Sequence, residues 1–354
     1  MSAIHLLGLL RARTGRSRST RTRLTSALAC VVLIAFCVYF SRDSTGDDQV
    51  IVNAVAKANA FLDTLDGPQR ERALLEFDSA KKPSWSNLPV TMVPRNGVRL
   101  GELNQRQRTA ALDALAAVLS KQGIQKVVDI MNGDDQLAQE GRNRMRFGSD
   151  NYYFALFGKP SAAKPWMVQF GGHHLGINVT IVGKETVLTP THTGAQPDSF
   201  TRNGATVRPL GVENDLAFKL VNMLDAEQRK QAVLGNRPRD LLLGPGHDRQ
   251  TIRPEGLNCA SLKEDQRATL LELIGAWVEI LPNEAAAKRM ATLKAQIDKT
   301  HFAWYGPTTN GSAASYRIQG PTLVIEYAPQ RGTHHIHTII RDPSNDYGRK
   351  LTRS

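Results

Sequence analysis

Two kinds of periodicity divide this chain. Apolar positions recur with helical spacing over residues 50–65, where Val52, Val55, Ala56 and Phe61 share a face. The same spacing predicts helices over Ala110–Leu119, Leu270–Leu281 and Glu284–Ile297. Short β-branched and aromatic runs predict strands at Tyr152–Phe157, Met167–Phe170, Leu175–Val182 and Thr186–Leu188, with Gly183-Lys184 as a turn. A second strand group follows at Tyr316–Ile318, Thr322–Tyr327 and Ile336–Ile340. Arg95–Gly101 and Arg237–Asn258, rich in Pro and Gly, read as loops. Helices and strands cluster separately instead of alternating. The expected class is therefore α+β, a mostly antiparallel sheet packed with a separate set of α-helices.

One pattern recurs four times, at Leu65–Leu74, Leu103–Leu112, Leu224–Val233 and Leu262–Leu271. Each has Leu, a polar residue, two further positions and then Gln-Arg. Asp66, Asn104 and Asp225 suit helix N-caps, and Gln69, Gln107 and Gln228 fall where a capping box needs them; Lys263 departs from the pattern. The intervals of 38, 121 and 38 residues are irregular, which favours independent use of one helix-start solution over a repeat array. The equal outer intervals nevertheless hint at two related helical pairs flanking a central insert.

Composition changes the picture mainly at the N-terminus. The 354 residues are 41% hydrophobic and 22% charged, ordinary values for a globular protein, with a net charge of +12. Six of those charges are Arg11, Arg13, Arg16, Arg18, Arg21 and Arg23, in a stretch without acids. The remaining basic excess is dispersed and lacks aromatic interleaving, so no nucleic-acid partner is expected. The arginines precede an uncharged apolar run, Leu24–Phe40, of 17 residues. That is enough to span a bilayer, and the charge asymmetry places the N-terminus inside. No small-x-small motif closes the run, which favours a retained signal anchor over a cleaved signal peptide. The expected organisation is a cytoplasmic basic tail (1–23), a transmembrane segment (24–41), a linker (42–49) and a single exported domain (50–354). That domain would be held at the membrane with its bulk outside the cytoplasm. Cys259 is the one cysteine beyond the apolar run, which excludes an internal disulfide or thiolate cluster there.

The chemistry lies in two histidine-dense segments, Gln169-Phe-Gly-Gly-His-His-Leu-Gly-Ile-Asn178 and Glu326-Tyr-Ala-Pro-Gln-Arg-Gly-Thr-His-His-Ile-His337. If Ile336–Ile340 is a strand, His335 and His337 face the same side and His334 faces away. Such a pair can converge on one ion with little backbone distortion, but it needs a third ligand. Glu326, on the preceding strand, is the first candidate. His173 or His174 is the second, with Gly171 and Gly172 leaving room to re-aim either. His301 is weaker. Asn178, Gln169, Asp342 and His301 are candidates for orienting the imidazoles from behind. Nitrogen and oxygen ligands without thiolate suit zinc, copper or iron. Two alternatives stand beside the metal reading. One histidine could act as a general base beside Glu326 or Asp342 without any metal. Or the histidines could merely pack in the core of a non-catalytic envelope binding module. No nucleophile elbow, P-loop or dinucleotide fingerprint is present.

The runs Trp166–Asn178, Thr189-Pro-Thr191, Gly194–Pro197 and Arg208–Gly211 resemble the signature of the bacterial domain-of-unknown-function 3500 family. So do His301–Trp304, Tyr316–Pro321, Ile325–Tyr327, His335–His337 and Arg341-Asp342. The resemblance spans roughly residues 50–350. It implies that both histidine segments belong to the family pattern and that export is common among members. It leaves the activity open. At His192 the family more often carries an aromatic residue, so His192 is given less weight as a site residue.

Overall fold

All four Gln-Arg segments start helices in the computed structural model, which describes residues 47–141 and 143–352. At the first three, the cap side chains of Asp66, Asn104 and Asp225 accept the N–H of Gln69, Gln107 and Gln228 at 2.8–3.0 Å, and each Gln reaches back to its cap. Lys263 cannot accept, yet Gln266 still takes its N–H at 2.8 Å. The expected tail and transmembrane segment lie outside the described residues. Among the described residues no helix is long and apolar enough to cross a membrane.

The first half runs α1 (Asp47–Leu62), α2 (Gly67–Ala73), β1 (Leu74–Leu75), β2 (Val98–Arg99), α3 (Gln105–Ala116) and α4 (Lys121–Glu140). It continues through β3 (Tyr153–Phe157), β4 (Trp166–Gly172), β5 (Leu175–Val182), β6 (Glu185–Val187) and β7 (Thr191–Ala195). A small hairpin, β8 (Phe200–Arg202) and β9 (Ala205–Val207), leads to the second half. This runs α5 (Gly211–Met223), α6 (Ala226–Ala232), β10 (Val233–Gly235), β11 (Leu257–Asn258), α7 (Glu264–Val278) and α8 (Asn283–Ala295). It ends with β12 (His301–Tyr305), β13 (Ser315–Gly320), β14 (Leu323–Pro329), β15 (Ile336–Arg341) and α9 (Arg349–Thr352).

The halves repeat one unit. β1 and β10 are parallel, and β2 and β11 antiparallel, to the first long strand of their own half. Gly97 and Gly256 both have positive φ (93° and 89°), and a Cβ on either would collide with the carbonyl of Phe154 or Phe302. The capping glutamines pair within each half, Gln107 to Gln69 at 2.7 Å and Gln228 to Gln266 at 2.9 Å. The four-fold sequence pattern is thus two copies of a helical pair, and the insert between them is the first copy's own sheet. Independent helix starts, the reading that the irregular intervals favour, do not explain this.

Among the described residues thirteen strands form one mostly antiparallel sheet, with order β1-β3-β4-β5-β7-β15-β14-β13-β12-β10 along its main path. That order is symmetric about the β7–β15 pair, where the two halves join. One face carries Phe154, Phe170, Ile177, Val179, Ile340, Ile325, Tyr316, Trp304 and Phe302, all buried in the main core with the helices. Trp166, Trp277 and Trp304 are fully buried, each contributing on the order of 1.5–3 kcal/mol from burial, as expected of core aromatics. Cys259 is a free, buried cysteine. Alternation sends Gln169, Asn178, His192, His337, Arg341, Glu326 and Arg317 to the opposite face. Two long connections cover that polar face, residues 76–97 and 236–256. Asn96 holds Gln169 at 2.8 Å, and Arg341 holds the Leu243 carbonyl at 2.7 Å.

Candidate metal centre

His173 and His174 form the two-residue turn between β4 and β5, and His174 adopts a left-handed φ of 62°. A non-glycine residue there costs about 1–2 kcal/mol, so the surroundings must enforce it. Asn87 of the first covering loop accepts the His174 N–H at 3.2 Å, and Gly194 leaves the space its ring needs. A Cβ at Gly194 would sit 3.2 Å from the His174 ring and 2.8 Å from the Ile336 carbonyl. Gly194 pairs with His337 across the β7–β15 seam, so the turn of one half lies over the histidine strand of the other.

Three imidazoles converge at this point. His335 Nε2 lies 2.8 Å from His174 Nε2 and 2.9 Å from His337 Nε2. The three ring centroids stand 4.6–5.3 Å apart. One Nε2–H on His335 can serve only one of its two neighbours, so the remaining contact pits like against like. A cation removes the conflict, because all three lone pairs can point at it. Nitrogens bound tetrahedrally at 2.0–2.1 Å stand about 3.3 Å apart, a few tenths of an ångström beyond the spacing seen. Burial, followed by the neighbouring histidines, holds His174 well below its ordinary pKa. Burial also lowers His335 to about 4, and burial then His335 lower His337 to about 3. All three are therefore neutral at pH 7, the form that ligates a metal.

Behind this trio, the His173 ring packs against that of His174, tilted by 33° with centroids 3.6 Å apart, and its Nδ1 meets Asp134 Oδ1 at 2.5 Å. The other oxygen of Asp134 accepts the Gly148 N–H at 2.8 Å, and Tyr152 donates to the His173 carbonyl at 2.7 Å. Asp134, His173 and His174 form a second group with metal-ligand spacing, and all three are buried. On the outer side, half-buried His335 reaches a surface pocket lined by Gln196, Gln330, Arg331 and His334.

The sequence candidates divide accordingly. His335, His337 and His174 come together, and His173 supports His174 from the same turn. His334 is exposed and contacts Asp198 at 2.8 Å. Glu326 is not brought to the histidines. It sits opposite Ile339, and its carboxylate accepts the N–H groups of Leu242 and Leu243 at 2.8–3.2 Å. Burial raises its pKa, and those two N–H groups and Arg317 partly offset this. Glu326 and Arg317 occupy in the second half the ladder positions that Asn178 and Gln169 occupy in the first. Gln169 and Asn178 hydrogen-bond one another at 2.8 Å and orient no imidazole. Asp342 accepts from Ser344, and His301 pairs across the sheet with Gln319 and Asn258, both away from the trio.

Asp134 and Asn87 escape sequence reasoning because α4 and the covering loop are not predicted. Ser120, which caps α4 through Gly123 at 2.8 Å, and the apolar series Val127, Ile130, Met131 would have revealed the helix. Asp134 continues that series, an acid on an apolar face.

The sequence model of the DUF3500 family, described as a protein of unknown function, matches residues 47–349. No curated protein and no solved structure matches the chain.

Proposed function

The chain belongs to the DUF3500 family, to which no function is assigned, and from its geometry we propose that it is a histidine-liganded transition-metal enzyme. The observation that carries this is the meeting of three imidazole nitrogens, His335 Nε2 lying 2.8 and 2.9 Å from those of His174 and His337, contributed by both halves of the chain. A purely structural cluster would hand its ring nitrogens to carbonyls or carboxylates. Here His335 Nε2 faces both His174 and His337, and the Asn87 amide lies 3.3–3.4 Å from the His337 ring nitrogens. His174, His335 and His337 would hold the ion, and zinc, copper or iron fits an all-imidazole set. Such an ion supplies Lewis acidity, lowering the pKa of a coordinated water toward 7 if it is zinc, or electron transfer if it is copper or iron. Asp134 fixes His173 by its Nδ1, so the ring that backs His174 has one orientation. Of the two chemistries, hydrolysis is the better supported. Three protein nitrogens, a surface pocket at His335 and a carboxylate-held histidine alongside are the parts that a metal-assisted hydrolase uses.

The domain is proposed to work outside the cytoplasm, tethered through residues 24–41, because an arginine-rich tail precedes that apolar run. Elemental analysis of the purified chain tests the central point. About one transition-metal ion per chain is expected in wild type, and none in His335→Ala/His337→Ala. No bound or bindable metal in wild type would remove the reading.

A further inference from the structure

His192 is wholly buried on β7, and neither of its ring nitrogens meets a hydrogen-bonding partner among the described residues. The polar side chains beside it on β7 and the facing Asn178 are paired. Asn178 donates to the Pro190 carbonyl at 2.8 Å, Thr191 to the Leu188 carbonyl at 2.6 Å, and Thr193 is bonded to Thr338 at 2.7 Å. His192 is set apart from these neighbours because both of its hydrogen-bonding atoms are unpartnered.

Its position gives this meaning. His192 pairs with Ile339 and His337 with Gly194 across the seam, so both histidines project from the same sheet face. Their ring centroids lie 5.4 Å apart, much as the three converging rings lie from one another. Trp85 of the covering loop closes the other side at 6.5 Å. Yet His192 is outside the trio whose ligand atoms converge. It is the inner wall of the centre, as the pocket at His335 is its outer mouth.

We infer that His192 hydrogen-bonds a small non-protein ligand on the inner side of the metal centre, water or an anion of similar size, and so is a binding residue of that centre. The inference rests on the metal reading above. A neutral imidazole brings one donor and one acceptor. It can hold a water in either hydrogen-bonding sense, or give its N–H to an anion. The substitutions His192→Phe and His192→Gln separate this role from mere filling of space, because phenyl keeps a ring and loses both polar atoms, whereas the amide keeps a donor and an acceptor.

The test uses the full chain loaded with cobalt(II), with azide as the probe anion. His192→Phe should still bind one ion through three imidazoles by X-ray absorption, while azide affinity read from the visible spectrum falls about tenfold or more. His192→Gln should recover part of that affinity. Without metal, His192→Phe should still unfold in one cooperative thermal transition, so that its azide affinity is read on a folded chain. Unchanged azide affinity in His192→Phe would overturn the inference. Failure of wild type to bind cobalt at all would instead remove the centre on which the inference stands.

Discussion

His174 and His335, from opposite halves of the chain, meet Nε2 to Nε2 at 2.8 Å across the seam of a repeated unit. Neither half contains the trio. The first supplies a strained turn and the second a histidine strand, so the centre exists only where β7 pairs with β15. The left-handed φ of His174 is local strain that the contacts of both halves hold in place.

His174→Gly should therefore lower both stability and zinc binding. Glycine relieves the left-handed strain but adds backbone freedom to the unfolded chain and removes a buried ring, so the metal-free variant should be destabilised by about 2–4 kcal/mol. Zinc affinity should fall at least about 100-fold, because one of three ligands is gone. Urea unfolding and calorimetric titration of the same preparation check both halves of the prediction.

Asp134→Asn tests the support behind the ligands. The carboxylate accepts from both His173 and Gly148, and an amide can accept through only one of its two heavy atoms. One buried donor is left facing an NH₂ group, so stability should drop by about 1–3 kcal/mol. The zinc stoichiometry should stay at one, with affinity lowered by about tenfold. Chemical denaturation gives the first value and titration the second.

The histidines also predict a pH dependence for the metal-free protein. His335 and His337 titrate near 4 and 3 when folded, below the ordinary value of 6.5 that applies when unfolded. Between those limits the unfolded chain binds more protons than the folded one. The contribution of the pair is thus complete above pH 6.5 and is lost as pH falls toward 4. Asp346, raised to about 6 chiefly by burial, acts in the opposite sense, losing stability as pH rises from 3.8 to 6. Comparing wild type with His335→Ala/His337→Ala by urea unfolding at pH 7 and pH 5 cancels the Asp346 contribution. Wild type should lose more stability over that interval than the variant, and an equal loss would contradict the assignment.

The repeat has its own test. Gly97→Ala and Gly256→Ala place a Cβ 2.1 and 2.3 Å from a carbonyl oxygen at positive φ in equivalent turns. Each should destabilise by about 2–4 kcal/mol, and the two effects should be similar although the residues lie in different halves. Thermal unfolding of the two variants side by side reads this directly.

The fold class was legible because period and composition agree over the long elements, as in Leu175–Val182, whose expected and observed limits coincide. The His335–His337 pairing was legible from strand alternation alone. The third ligand was harder. Glu326 shares the sheet face of His337, as alternation requires, but faces do not reveal which covering loop a side chain meets, and the backbone N–H groups at 242 and 243 claim it. For His173 and His174, strand alternation was the wrong frame, since a two-residue turn lets both rings lie against one another. The repeat was visible in the capping residues, and its irregular spacing hid it, because the first copy's sheet lies between the helical pairs.

A crystal of the protein soaked in zinc, with diffraction recorded on either side of the zinc absorption edge, addresses the centre most directly. One anomalous peak is expected, about 2.0–2.1 Å from the Nε2 atoms of His174, His335 and His337. No peak at the trio, or a peak held by other residues while these three imidazoles still face one another, would contradict the metal centre.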